Sequence, residues 1–187
     1  MPIPFDDFYC LNYIDGIMGT FKFSSKDERN RLFGDLGETF YKNYSDQKGF
    51  AYCRADDIGW EFIHRNVIRL KKGFHRIDVR VPEELRRLLM DIIEPNPDYP
   101  KTPAYSFDFI SCVIGDDEIK KLKADEILEG KEPGAFTIVE VKTGRSTLTR
   151  REDEVREKCE ERDVRHRVFR ITKMDKPVRK WDFSMED

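Results

Sequence analysis

The sequence predicts an α/β or α+β protein, a sheet with helices packed against it. Three observations predict it. Apolar residues recur at four-residue spacing in some segments and alternate in others, and these are the periods of helix and strand. The segments follow one another as helix, strands, helix, strand, the order of a sheet covered by helices. The chain has 187 residues, 39% hydrophobic and 38% charged, which suits one domain with a real core, an insertion and a heavily charged surface.

Taken in order, residues 1–24 are aromatic and glycine-containing with no clear period, and they read as an irregular N-terminal arm. The stretch SSKDERNRLFGDLGETFYKNYSDQKGF predicts a helix. Ser25 and Glu28 have capping-box spacing, Leu32, Leu36, Phe40 and Tyr44 form one apolar stripe, and Gly49 stops the helix. Residues 51–81 read as strand material, most clearly FHRIDVRV, where Ile77, Val79 and Val81 alternate with Arg76, Asp78 and Arg80. Pro82 suits a first helical position, and PEELRRLLMDII is a short amphipathic helix. EPNPDYPKTP is a proline-rich loop. AYSFDFISCVIG is apolar enough for a central strand, residues 115–134 form an excursion with one helical turn, and AFTIVEVKT is the next strand. TLTRREDEVREKCEERD is a helix opened by a second capping box, Thr149 with Glu152, and VRHRVFRIT is the last strand. The polar tail, 173–187, is expected to be partly loose.

Several function classes are disfavoured. No apolar run approaches the ~18 residues of a membrane span, and MPIPFDDFYC carries acids where a secretory signal carries bases. The expectation is a soluble, cytoplasmic protein with reduced thiols. Cys10, Cys53, Cys112 and Cys159 make no CxxC pair, so a zinc ribbon is not expected. The net charge of -3 gives no vote for nucleic acid. Bases outnumber acids from Lys142 to Lys180, which fits either a basic face or a solvated, salt-bridged helix. His64, His75 and His166 are scattered and read as surface or packing residues.

The chemistry concentrates in GAFTIVEVKTGRSTLTRRE. Alternation puts Glu140 and Lys142 on one face of an apolar strand. Asp108 sits early in the preceding core-like strand, so neighbouring strands would bring the two carboxylates together. Half-buried carboxylates repel, and a divalent cation relieves the repulsion. Oxygen ligands without histidine or cysteine suit Mg2+ or Mn2+. A lysine there can orient or help deprotonate a water, or stabilise charge on a phosphate.

Asp108 followed by Glu140-Val141-Lys142 resembles the second and third motifs of the PD-(D/E)XK nuclease superfamily. GDLGETFYKNYSDQKGF resembles the first core helix of its archaeal Holliday-junction-resolvase branch, and KTGRSTLTRRE resembles the turn after the lysine. The resemblance spans about a third of the chain. It implies a restriction-endonuclease-like αβββαβ core with a mixed central sheet flanked by helices, plus insertions, in a single domain. It further implies a metal-dependent endonuclease acting on DNA, on branched or structured DNA by analogy with that branch, and working as a homodimer. Asp108, Glu140 and the Val141 carbonyl would hold Mg2+ or Mn2+. Glu38 would complete a second metal position or hold a water, and Lys142 would be base or electrostatic stabiliser. Thr143, Arg145, Ser146, Arg150 and Arg151 would contact the nucleic acid.

The chain departs from that pattern in three places. Phe107 stands where proline often precedes the aspartate. Glu152 stands where the helix often carries glutamine, and it can weaken DNA contact or serve as a cap. About twenty residues separate Asp108's strand from Glu140's, longer than an ordinary connection. The alternative is a catalytically inactive module of the same fold that binds nucleic acid or a protein partner. Glu38 alone is ambiguous, because it lies off the centre of the apolar stripe.

Overall fold

The computed structural model describes residues 25–94, 104–123, 125–143, 146–171 and 183–186. The expected arm (1–24), most of the proline-rich loop and Arg145 lie outside the described residues.

Helix α1 spans Lys26–Lys48. It starts where Ser25 is extended and its hydroxyl accepts the Glu28 N–H at 3.1 Å. It ends at Gly49, left-handed at φ 72°, with the Asp46 and Ser45 carbonyls accepting from Gly49 and Phe50. The buried line is Phe33, Gly37, Tyr41 and Ser45, one position beyond the predicted stripe, and Leu36, Phe40 and Tyr44 flank it half-buried. Gly37 explains the shift. A β-carbon there would lie 2.9 Å from Val141 Cγ1 and 3.1 Å from Thr143 Cγ2, so the helix rides on the sheet at a residue without a side chain.

Strand β1 is Ala51–Arg54, followed by a 3-10 turn, Ala55–Asp57. The region 51–81, expected to be strand, contains helix α2, Trp60–Arg65. Six residues are under two turns, so the helical period never repeats and sequence periodicity cannot reveal it. Asn66 ends α2 in the left-handed region and its side chain donates to the Val81 carbonyl at 2.8 Å. Strands β2, Val67–Lys72, and β3, His75–Arg80, form a hairpin. Helix α3 is Glu83–Asp91, and Pro82 is its cap, with ψ at 154°, not its first residue. It buries Leu85, Leu88 and Leu89.

The expected strand AYSFDFISCVIG is split. Ala104–Tyr105 (β5) pairs with Ile93–Glu94 (β4) in a separate small sheet, and only Phe109–Cys112 (β6) joins the main one. The excursion carries helix α4, Asp116–Lys121, and then runs beside β3. There Leu128 donates to the Asp78 carbonyl and accepts from the Arg80 N–H, covering a sheet edge that would otherwise stand unpaired. Strand β7, Phe136–Thr143, leads through helix α5, Arg150–Glu160, to β8, Arg165–Ile171. The tail, expected to be partly loose, supplies β9, Phe183–Glu186, which pairs with β8 where that strand would be an open edge.

Among the described residues the main sheet has the order β3-β2-β1-β6-β7-β8-β9. Among the described strands of this sheet only β7 and β8 pair in parallel, through α5, so the sheet is mixed. Helices cover both faces. Tyr41 of α1 packs on Phe109 and Phe169, with ring centroids 4.7 and 5.3 Å away. On the other face Phe136 and Ile138 join Leu85, Leu88, Val155 and Cys159 in one core.

Gly34 and Gly37 lie on the same helix in opposite surroundings, since nothing comes within 4 Å of a β-carbon at Gly34. Gly34→Ala is expected to stabilise the protein by about 0.5–1 kcal/mol through helix propensity. Gly37→Ala is expected to destabilise it by about 1–3 kcal/mol through overpacking against β7. Urea unfolding of the two variants beside the parent checks the opposite signs.

Candidate functional site

The site forms where the ladder between β6 and β7 ends. The last pair of that ladder is Phe109 with Val139, and continuing the register puts Asp108 opposite Glu140. Asp108 is not inside the strand, as the sequence suggested, but immediately before it. Its backbone is pinned from two sides, since its N–H donates to the Val139 carbonyl at 3.1 Å and its carbonyl accepts from Ala55 at 2.9 Å. Its side chain then substitutes for the missing rung, with Oδ2 accepting the Val141 N–H at 2.6 Å. A strand residue's N–H and C=O point to the same side, so the Val141 carbonyl also faces the gap beside Asp108.

Glu140 and Lys142 share the face of β7 that carries Phe136 and Ile138, as alternation predicted. Glu140 is 1% exposed and its Oε1 has no hydrogen-bond partner. Lys142 Nζ donates to both oxygens of Glu152 at 2.6 Å. Glu152 also completes the predicted capping box. Its Oε2 accepts the Thr149 N–H at 2.7 Å, and its own N–H donates to Thr149 Oγ1 at 3.3 Å. Cap and lysine partner are therefore one carboxylate, and α5 is tied to β7 through it.

Glu38 lies at the margin, next to the Gly37 contact with β7. Its side chain is 22% exposed and held by Arg54 at 3.3 Å and Lys42 at 3.7 Å. Thr143 closes β7, and the Ser146 hydroxyl donates to its carbonyl at 2.9 Å. Arg170 donates to the Ser146 carbonyl at 2.7 Å, fastening this turn to β8. Arg150 is 92% exposed at the start of α5 and pairs with Glu154 at 3.0 Å, and Arg151 beside it is also exposed. Asp108, Glu140 and Lys142 thus come together, Glu38 stands at the edge, and Thr143, Ser146, Arg150 and Arg151 lie along the exit from β7. Sequence reasoning missed Arg54 and took Glu152 mainly as a cap. Arg54 has no local signature, and only the pairing of β1 with β6 places it at this end of the sheet.

The electrostatics follow from crowding. Burial raises the Glu140 carboxyl to about 9, with Asp108 and Glu152 adding repulsion and Lys142 opposing it. Burial also raises Asp108, the Val141 N–H and Lys142 offset part of this, and the charges of Glu38 and Glu152 add to it. Burial pushes Glu152 upward too, but its bonds from Lys142 and Thr149 outweigh that and hold it below the usual carboxylate range.

These donors fit a hard cation in one respect and not in another. The buried Glu140 oxygen without a partner, the repelling Asp108 and the Val141 carbonyl make an oxygen-lined gap, and magnesium is commonly bound by one or two carboxylates with waters and phosphates completing its shell. Among the described residues, however, no three His, Cys, Asp or Glu side chains form a group that could hold a metal ion. Glu38, expected to complete a second metal position or hold a water, is instead paired with Arg54 and Lys42. No protein family, curated protein or solved structure matches the chain.

Because the folded-state carboxyl of Glu140 lies above its unfolded value, its contribution to stability is complete below about pH 4.3 and is lost as pH rises toward about 9. Glu140→Gln, which cannot ionise, is expected to match the parent near pH 4 and to exceed it by a few kcal/mol at pH 8 in chelator. Urea unfolding at both pH values checks this, and equal stabilities at pH 8 would contradict a strained, buried carboxylate.

Proposed function

We propose that the chain is a metal-dependent nuclease that hydrolyses phosphodiester bonds in DNA. The single observation carrying this reading is the meeting of Asp108 and the buried Glu140 carboxyl, whose Oε1 has no hydrogen-bond partner, beside Lys142 at the end of one sheet. The element order supports it. With the elements from α2 through β5, α4 and the terminal β9 set aside as additions, α1, β1, β6, β7, α5 and β8 follow the αβββαβ order of the PD-(D/E)XK core. The expected preference for branched DNA and the homodimer rest on the resemblance in α1 and in the turn after Lys142.

In this reading Asp108, Glu140 and the Val141 carbonyl hold Mg2+ or Mn2+, which would polarise a phosphate oxygen and offset its charge. Glu140, desolvated and repelled while empty-handed, gains most from a positive charge. Lys142 donates to both oxygens of Glu152 and acts as a charge stabiliser, with donor capacity left for a phosphate oxygen. Asp108 keeps the Val141 carbonyl aimed at the gap. Arg150 and Arg151, exposed at the start of α5, contact the backbone further along.

One observation favours the second reading, an inactive module of the same fold. The Lys142–Glu152 pair is short and only 12% and 16% exposed, and it can serve purely to fasten α5 to β7.

Plasmid, linear and four-way-junction DNA incubated with Mg2+ or Mn2+ separate the two readings. Cutting is expected only with metal, and Glu140→Ala is expected to lower it by at least about a hundredfold through loss of a metal ligand. Lys142→Ala should also abolish most activity, whereas Arg150→Ala should cost about tenfold or less as a lost phosphate contact. Binding without cutting under every metal would leave the inactive module.

A further inference from the structure

The α1 face of the sheet holds a second feature, at the end away from Asp108 and Glu140. There the sheet continues past the last turn of α1, and a cavity of about 180 Å3 opens between them. Its floor is a row across three strands. Ser111 pairs with Thr137, and Thr137 with Arg165, all pointing toward the α1 side. Tyr44 and Phe50 form its wall, with ring centroids 6.3 Å apart and planes at 59°. Arg167 stands beside Arg165, and none of the lining residues is acidic.

Three properties distinguish this cavity from a packing gap. The Arg165 side chain is exposed and makes no hydrogen bond or ion pair with the described residues. Tyr41, which lines the cavity and is fully buried, has a hydroxyl beside Ser45 and Ser111 that meets hydrogen-bond geometry with neither. The carbonyls at the end of α1 are taken by the Gly49 and Phe50 N–H groups, which blunts the negative end of the helix dipole. A space slightly larger than the roughly 150 Å3 that accommodates benzene admits one planar ring system. Aromatic walls, hydroxyl donors and two guanidinium groups together favour a planar ring bearing an anion.

We propose that this cavity binds a nucleobase carrying a phosphate, with the base against Tyr44 and Phe50 and the phosphate on Arg165 and Arg167. The ligand is either a nucleoside monophosphate or one unstacked nucleotide of a single strand. The site is separate from Asp108, Glu140 and Lys142 and does not depend on the nuclease reading.

The test is calorimetric titration of the protein in chelator with AMP, with a 5′-phosphorylated thymidine oligonucleotide, and with inorganic phosphate and adenosine as controls. The parent is expected to bind AMP or the oligonucleotide more tightly than either control. Binding of the oligonucleotide alone identifies the strand as the source. Arg165→Glu, a surface change, is expected to weaken binding about tenfold or more. Tyr44→Ala should weaken it about tenfold through lost stacking. Should that variant lose its fold, Thr137→Leu, which fills the floor, should abolish binding. Glu140→Ala should bind as the parent does, so failure of the nuclease reading leaves this result intact. The proposal is overturned if neither nucleotide binds, if phosphate binds as tightly as AMP, or if Arg165→Glu binds unchanged.

Discussion

The bond from the Val141 N–H to the Asp108 carboxylate is the constraint around which the site is built. A strand that outruns its neighbour leaves backbone groups unsatisfied, and a buried unpaired N–H is costly. Here a side chain supplies the missing acceptor at 2.6 Å. The substitution fixes the carboxylate in place, keeps the neighbouring carbonyl facing the gap, and sets Asp108 across from Glu140. The sheet's own need for a hydrogen bond thereby holds two acids close together in low dielectric.

That proximity has to be balanced, and the molecule balances it only in part. Lys142 brings one positive charge to a neighbourhood with three carboxylates, and it spends that charge on Glu152. Glu140 keeps its proton to well above neutral pH and one oxygen without a partner. Strongly perturbed groups of this kind cluster at functional sites, because stability alone would favour replacing them by apolar residues. Glu152 meanwhile joins a helix cap to the strand lysine, so the start of α5 is fastened to the end of β7.

The insertions support the sheet more than the site. The hairpin β2–β3 widens it, α3 buries leucines against one face, and Leu128 closes the edge of β3. On the opposite face, Gly37 lets α1 approach closely and leaves the far end of the sheet uncovered. The close contact at Gly37 and the cavity beneath Tyr44 are thus two ends of one helix placement.

Local pattern determined α1, α5 and β7, because caps, apolar spacing and alternation are properties of neighbouring residues. Glu140 and Lys142 sharing one face, and Thr149 with Glu152 closing a cap, were legible for the same reason. The short helix α2 and the break at Asp108 were not, since neither spans two full repeats of the period that would reveal it. Only tertiary structure decided that Asp108 faces Glu140, that Arg54 reaches Glu38, and that the tail completes the sheet as β9. Those facts depend on strand register and edge satisfaction, which arise between segments distant in sequence and leave no mark on either segment alone.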